Sequence, residues 1–246
     1  MKDHLKDLVK HTYGLGFIDL LKITGTDKAT QIDALATDRS VVIQGKFHNV
    51  VPEFIGTFGL PNLAKLNTIL GIPVYNDEKE KATVDVQRVT KDDEVVPTGV
   101  KFSSKSGDFE NTYRFMSKGI VNEKLKELLF REPPWDVTVT PSNTSIQKLK
   151  FQSQANSEET VFLAKTDGNK LVFSFGDHSS HAGNFVFEQG ISGKLTRECA
   201  YPIAAVNSIL SLDGDKLMKF SSQGLLIITV DSGLGVYNYM LSGQKK

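Results

Sequence analysis

One cysteine, Cys199, occurs in 246 residues, which excludes an internal disulfide and any multi-cysteine zinc site. A lone thiol of this kind fits a reducing compartment and reads as a buried, inert side chain. Net charge is also missing: 29 basic side chains stand against 29 acidic ones. The overall basic excess of simple nucleic-acid binders is therefore absent, and any DNA contact has to be local. No apolar run approaches the ~20 residues of a membrane span. Met1 to Lys10 alternates Lys and Asp where a secretory signal needs an unbroken apolar stretch. The expectation is a soluble cytoplasmic protein with no membrane partner. What is present, 39% apolar residues, suffices for a packed core, and the length allows one large domain or two ordinary ones.

The order of parts in the chain repeats. Leu5, Leu8 and Val9 fall at helical spacing with Lys2, Lys6 and Lys10 on a neighbouring stripe, which predicts a short amphipathic helix over 2–12. About 140 residues later Ile146, Leu149 and Ser153 form a weaker stripe, with Lys148 and Lys150 pointing elsewhere. A second helix is predicted from Leu60-Pro61, with Pro61 as its first residue and Leu63, Leu66 and Leu70 on one face. Tyr201-Pro202 opens its counterpart, where Ile203, Val206 and Ile209-Leu210 repeat the spacing.

Between each pair of helices the sequence turns β-rich. Phe17 to Ile23, a turn at Gly25-Thr26-Asp27, Gln31 to Ala36 and Val41 to Phe47 are matched by Val161 to Lys165, a turn at 166–169, Lys170 to Phe175 and Asn184 to Gly190. After the second helix, Ala82 to Val89 and a hairpin from Gly99 to Met116 stand against Lys216 to Ser222 and a hairpin from Leu225 to Leu241. The charge-dense stretch Lys79 to Asp93 reads as a solvated loop. Ser117 to Trp135, with Gly119 and Pro133-Pro134, reads as a linker that includes a helical turn. The expected division is a domain over 1–118, a connector over 119–134 and a second domain over 135–246.

Two constellations invite a chemical reading and fall short of one. Asp177, His178 and His181 lie close together, but the sequence identifies no distant third ligand, so a polar loop is the simpler account. Gly190 to Thr196 lacks a phosphate loop's first glycine, because Glu188 stands there, and Leu195 replaces the hydroxyl residue after Lys194. No catalytic residue, metal or cofactor is expected.

A duplicated unit of two short helices and many strands resembles the DNA sliding clamps. The segment Tyr201-Pro202-Ile203-Ala204-Ala205-Val206-Asn207-Ser208-Ile209-Leu210, with Asp215 to Phe220, Gly224 to Ile228 and Gly233 to Leu241, is similar to the last third of cellular clamps of the proliferating-cell-antigen type. The lysine-bearing first helix and Phe58-Gly59-Leu60-Pro61-Asn62-Leu63-Ala64-Lys65-Leu66 look more like the clamps of T4-type phages. The stretch from Gly119 to Pro134 departs from both patterns.

The resemblance implies an α+β protein with two similar clamp domains per chain, each with two short helices packed on antiparallel sheets. It implies a non-enzymatic homotrimeric ring of six domains around double-stranded DNA, without sequence specificity, that tethers a DNA polymerase. An ATP-dependent clamp loader would place it there, in a host cell's cytoplasm if the phage-like half marks a viral source. The helices would line the hole, and over the four helical windows six lysines (Lys2, Lys6, Lys10, Lys65, Lys148, Lys150) face two acids (Asp3, Asp7). Short amphipathic helices also turn lysines to water for solvation alone, so charge does not decide the matter.

The joining strands would lie near Phe109 to Met116 and Asn184 to Phe187, with Phe109, Tyr113, Phe115, Phe185 and Phe187 at the subunit interface or, equally, in the core. A partner-peptide pocket would draw on Leu125, Leu128, Leu129, Phe130, Tyr239 and Leu241, which could also be core. The alternatives are a β-rich viral structural or assembly protein and an enzyme built around His178 and His181.

Overall fold

In a computed structural model, residues 1–76, 81–91, 93–126, 132–176 and 181–243 are described. The chain forms two compact units, one of residues 1–129 with 232–237 and the other of residues 130–231 with 238–246.

The first unit opens with α1 (Lys2–His11), whose Leu5, Leu8 and Val9 are buried as their spacing requires. A short 3-10 turn and Gly16, at φ 86°, lead into β1 (Leu20–Gly25). The strand therefore begins three residues later than the alternation from Phe17 suggests. It continues antiparallel through β2 (Thr30–Leu35) and β3 (Val41–Phe47). In β1 every second side chain is buried, the pattern of a sheet with one face on a core.

The chain then returns as β4 (Gly56–Pro61) along the far side of β1, giving the order β4-β1-β2-β3, and passes directly into α2 (Leu63–Leu70). A second sheet, β5-β6-β7, follows from Thr83–Lys91, Glu94–Ser103 and Glu110–Arg114. The unit's helical elements end with α3 (Lys118–Lys124), in which Val121 is buried against Gly59 of β4.

The second unit repeats this plan. After a short β8 (Val137–Val139) comes α4 (Asn143–Ala155), then the meander β9 (Val161–Asp167), β10 (Lys170–Phe175) and β11 (Gly183–Gln189). β12 (Cys199–Pro202) returns along β9, just as β4 returns along β1, and passes directly into α5 (Ile203–Leu210). The second meander is β13 (Asp215–Phe220), β14 (Leu225–Asp231) and β15 (Gly235–Ser242), with β8 added beside β13. Its core is aromatic: Phe162, Phe173, Phe175, Phe187, Tyr201 and Phe220 are all fully buried. The fold is thus α+β and duplicated, with two short helices on antiparallel sheets in each unit and α3 as a further helix of the first.

Three local expectations need correction. Pro61 does not start α2; it ends β4 opposite Leu20, and Asn62, at φ 53°, caps the helix by accepting the Lys65 N–H at 3.1 Å. A proline carbonyl still serves a sheet edge, and an asparagine tolerates the left-handed turn between strand and helix. Pro202 likewise ends β12 and only caps α5. The third correction concerns the loop reading of Lys79 to Asp93, of which 83–91 is strand β5, in keeping with the match of Ala82 to Val89 to Lys216 to Ser222. Val84, Val86 and Arg88 are half-buried while Thr83, Asp85 and Gln87 face water, as suits an edge strand whose outer face is polar.

Candidate nucleic-acid interface

α1 packs beside α2, and the charges on α1 separate by side. Lys6 and Lys10 are exposed. Asp7 turns inward, its side chain 9% exposed, and accepts hydrogen bonds from the Tyr237 hydroxyl at 2.7 Å and the Ser232 hydroxyl at 2.9 Å. His11, buried one turn on, lies 3.2 Å from the same carboxylate through Nδ1 and stacks on Tyr237 with ring centroids 4.7 Å apart. Burial pushes the Asp7 carboxyl up, but the hydrogen bonds from His11 and Tyr237, the charge of His11 and the Ser232 hydroxyl outweigh it. The group titrates below the ordinary carboxylate range. The helix therefore shows water two lysines and one acid, Asp3, the same small net excess as its composition.

Lys2 is held differently from its neighbours. Its ammonium donates to the Tyr75 carbonyl at 2.9 Å, tying α1 to the segment after α2. Lys65 is exposed on α2. A groove of about 400 Å³ runs beside the helix pair, lined by Lys6, Lys10, Tyr13, Asn67 and the apolar Val9 and Leu70.

In the second unit α4 packs beside α5, and these two helices contain no acidic residue. Lys148 is exposed and Lys150 half-buried. The structure adds Lys216, at the start of β13. Burial holds its ammonium below the ordinary lysine value, the nearby Lys150 pushes the same way, and Asp213 and Asp215 oppose both. Only its position just after the turn that follows α5 could have singled it out in the sequence. The structure also leaves Phe151, on α4, 65% exposed, a residue the helical stripe did not highlight.

The five aromatic side chains expected near the joining strands have different environments. β7 and β11 are each edge strands of their own sheets, in the first and second unit respectively. Tyr113 is buried and donates its hydroxyl to the Pro61 carbonyl, and Phe187 is buried and stacked on Phe173 at 4.3 Å. Phe115 is half-buried, stacked on Phe58 at 4.2 Å. Phe185 is half-buried beside a cavity of about 470 Å³ also lined by Lys165, Asp167, Lys170 and Asn184. Phe109 is 43% exposed, with Tyr75 at 5.7 Å between ring centroids.

Leu125 is buried in the first unit, and Tyr239 and Leu241 in the second. Leu128, Leu129 and Phe130 lie outside the described residues, as do Asp177, His178, Ser179 and Ser180; His181 is exposed. Among the described residues no three His, Cys, Asp or Glu side chains gather as a metal site, and no helix is long and apolar enough to cross a membrane.

No protein-family profile and no curated protein matches this sequence. Solved structures do match in three dimensions. PCNA from Thermococcus kodakaraensis aligns with a TM-score of 0.69 at 13% identity, covering 99% of this chain and 97% of that one. A. fulgidus PCNA bound to the C-terminal region of FEN-1 gives 0.69 at 10%, covering 100% and 97%. The Proliferating Cellular Nuclear Antigen of Entamoeba histolytica gives 0.68 at 12%, covering 99% and 94%. The chain has the DNA clamp fold along its whole length.

Proposed function

We propose that this chain is the subunit of a DNA sliding clamp, a non-enzymatic ring that encircles duplex DNA and tethers a replicative polymerase. The observation that carries the reading is the pairing of a duplicated clamp fold with four helices, α1, α2, α4 and α5, on which Asp3 is the one acid turned to water. Lys6, Lys10, Lys65 and Lys148 are exposed on those helices. A ring that slides cannot hold base edges; it needs diffuse positive charge against phosphates, and exposed flexible lysines supply that. In this reading Lys2 and Lys150 contribute less directly, Lys2 because its ammonium already bonds a carbonyl.

Three chains would close the ring head to tail through the edges of β7 and β11, with Phe109, Phe115 and Phe185 covered on assembly and Tyr113 and Phe187 supporting them from the core. The domains would be 1–118 and 135–246 with 119–134 as connector. Short peptides of the polymerase and of an ATP-dependent loader would dock near that connector. By the resemblance, the candidates for that site are Leu125, Leu128, Leu129, Phe130, Tyr239 and Leu241. The protein would work in the cytoplasm, that of a host if the source is a phage. Light scattering on the concentrated native protein should give three times the chain mass. A lone monomer at high concentration would count against the ring.

A further inference from the structure

The exposed face of α4 carries chemistry that duplex phosphates do not use. Phe151, 65% exposed, is the most exposed large apolar side chain among the described residues. It lies at the centre of the helix's outward face, with Gln147 and Lys148 one turn before it and Gln154 and Ala155 one turn after, all exposed. Ile146 and Leu149 on the opposite side fill the core, so Phe151 is not a core residue displaced by a slip of the helix. The side chains of Gln147, Lys148 and Gln154 have no hydrogen-bond or ionic partner among the described residues. A phenyl ring held in water beside a lysine and two uncommitted amides, on a helix without acids, matches an anionic partner that also has flat apolar faces.

We propose that this face binds unpaired DNA bases, with Phe151 stacking on a base, Lys148 near the adjoining phosphate, and Gln147 and Gln154 available to base edges. The inference rests on the sliding-clamp reading, which places α4 on the DNA side, and gives that surface a second role. In a paired duplex the base faces are occupied by their neighbours, so a phenyl gains little there. At a primer end or gap the faces are free and stacking is tolerant of sequence. α4 would thus add a stacking contact wherever the strand inside the ring is unpaired, beside the phosphate contacts of the lysines.

The test compares the whole protein with Phe151→Ala, Phe151→Trp and Lys148→Ala. Fluorescence anisotropy measures binding to a labelled oligo(dT) and to a duplex of the same length, with retention on closed circular duplex measured in parallel. Phe151→Ala should weaken oligo(dT) binding on the order of tenfold and leave duplex binding unchanged. Phe151→Trp should restore it, and Lys148→Ala should weaken both. Thermal unfolding of Phe151→Ala should match the parent, since the ring is exposed. Equal oligo(dT) binding by parent and Phe151→Ala, or none by the parent, overturns the proposal while circular retention stands. Unchanged oligo(dT) binding together with a smaller native mass for Phe151→Ala overturns it in favour of a contact between protein chains. Loss of circular retention by the parent sinks the clamp reading itself.

Discussion

Removing the Asp7 carboxylate tests how the basic helix is held. Asp7→Ala removes one acceptor each from the buried Tyr237 hydroxyl, the Ser232 hydroxyl and the His11 ring, while Ser232 keeps the Gly235 carbonyl at 3.1 Å and His11 Nδ1 the carbonyl of residue 7 at 2.9 Å. Hydrogen bonds to a charged group contribute about 1.5–3 kcal/mol each and the remaining acceptors offset part of their loss, so a loss of about 2–4 kcal/mol is expected. At 2–4 °C per kcal/mol for chains of this size, the unfolding midpoint should fall by roughly 10 °C. Because three bonds converge on one group, a double-mutant cycle with Tyr237→Phe should show coupling of at least about 1 kcal/mol.

The pH dependence has a definite sign. The folded carboxyl titrates below its ordinary value of 3.8, so its contribution is complete above that value and disappears as pH falls through the lower folded one. Between pH 5 and 8 this group should leave stability flat. Scanning calorimetry at pH 7 checks the first claim, and the same scans from pH 5 to 2 check the second, where parent and Asp7→Ala should converge. A variant within 1 kcal/mol of the parent at pH 7 would refute the reasoning, and the inward turn of Asp7 would then be only a consequence of packing.

Alanine at Lys6, Lys10 or Lys148 should each lower the salt dependence of DNA retention by about one phosphate contact, measured as the slope of log affinity against log salt; Lys2→Ala should leave the slope unchanged. Gly25→Ala would bring a Cβ within 2.0 Å of the Phe54 carbonyl oxygen. It should cost about 1–3 kcal/mol, seen as a lower urea midpoint with the same m-value. Phe109→Glu and Phe185→Glu should reduce the native mass to that of one chain in light scattering while leaving circular dichroism unchanged.

The duplicated plan was legible because both halves share periodic helices at matching spacing, and the meanders β1-β2-β3 and β9-β10-β11 alternate clearly. The short returning strands β4 and β12 were hidden. Each runs straight into a helix, and the prolines at 61 and 202, which end the strands, also look like helix starts. β5 was legible only through the match of Ala82 to Val89 to Lys216 to Ser222, because an edge strand with a solvated face carries the same charges as a loop. The direction of Asp7 could not be read locally, since Ser232 and Tyr237 are more than 200 residues away in sequence. Phe151 was equally hidden, because a sequence alone does not distinguish an outward phenylalanine from a core one when the helix stripe is weak.

Encirclement is tested most directly by DNA topology. The protein, loaded on closed circular duplex and passed through a sizing column at moderate salt, should stay with the DNA and be released when a restriction enzyme linearises the circle. Equal retention on circular and linear DNA would contradict a ring held by geometry.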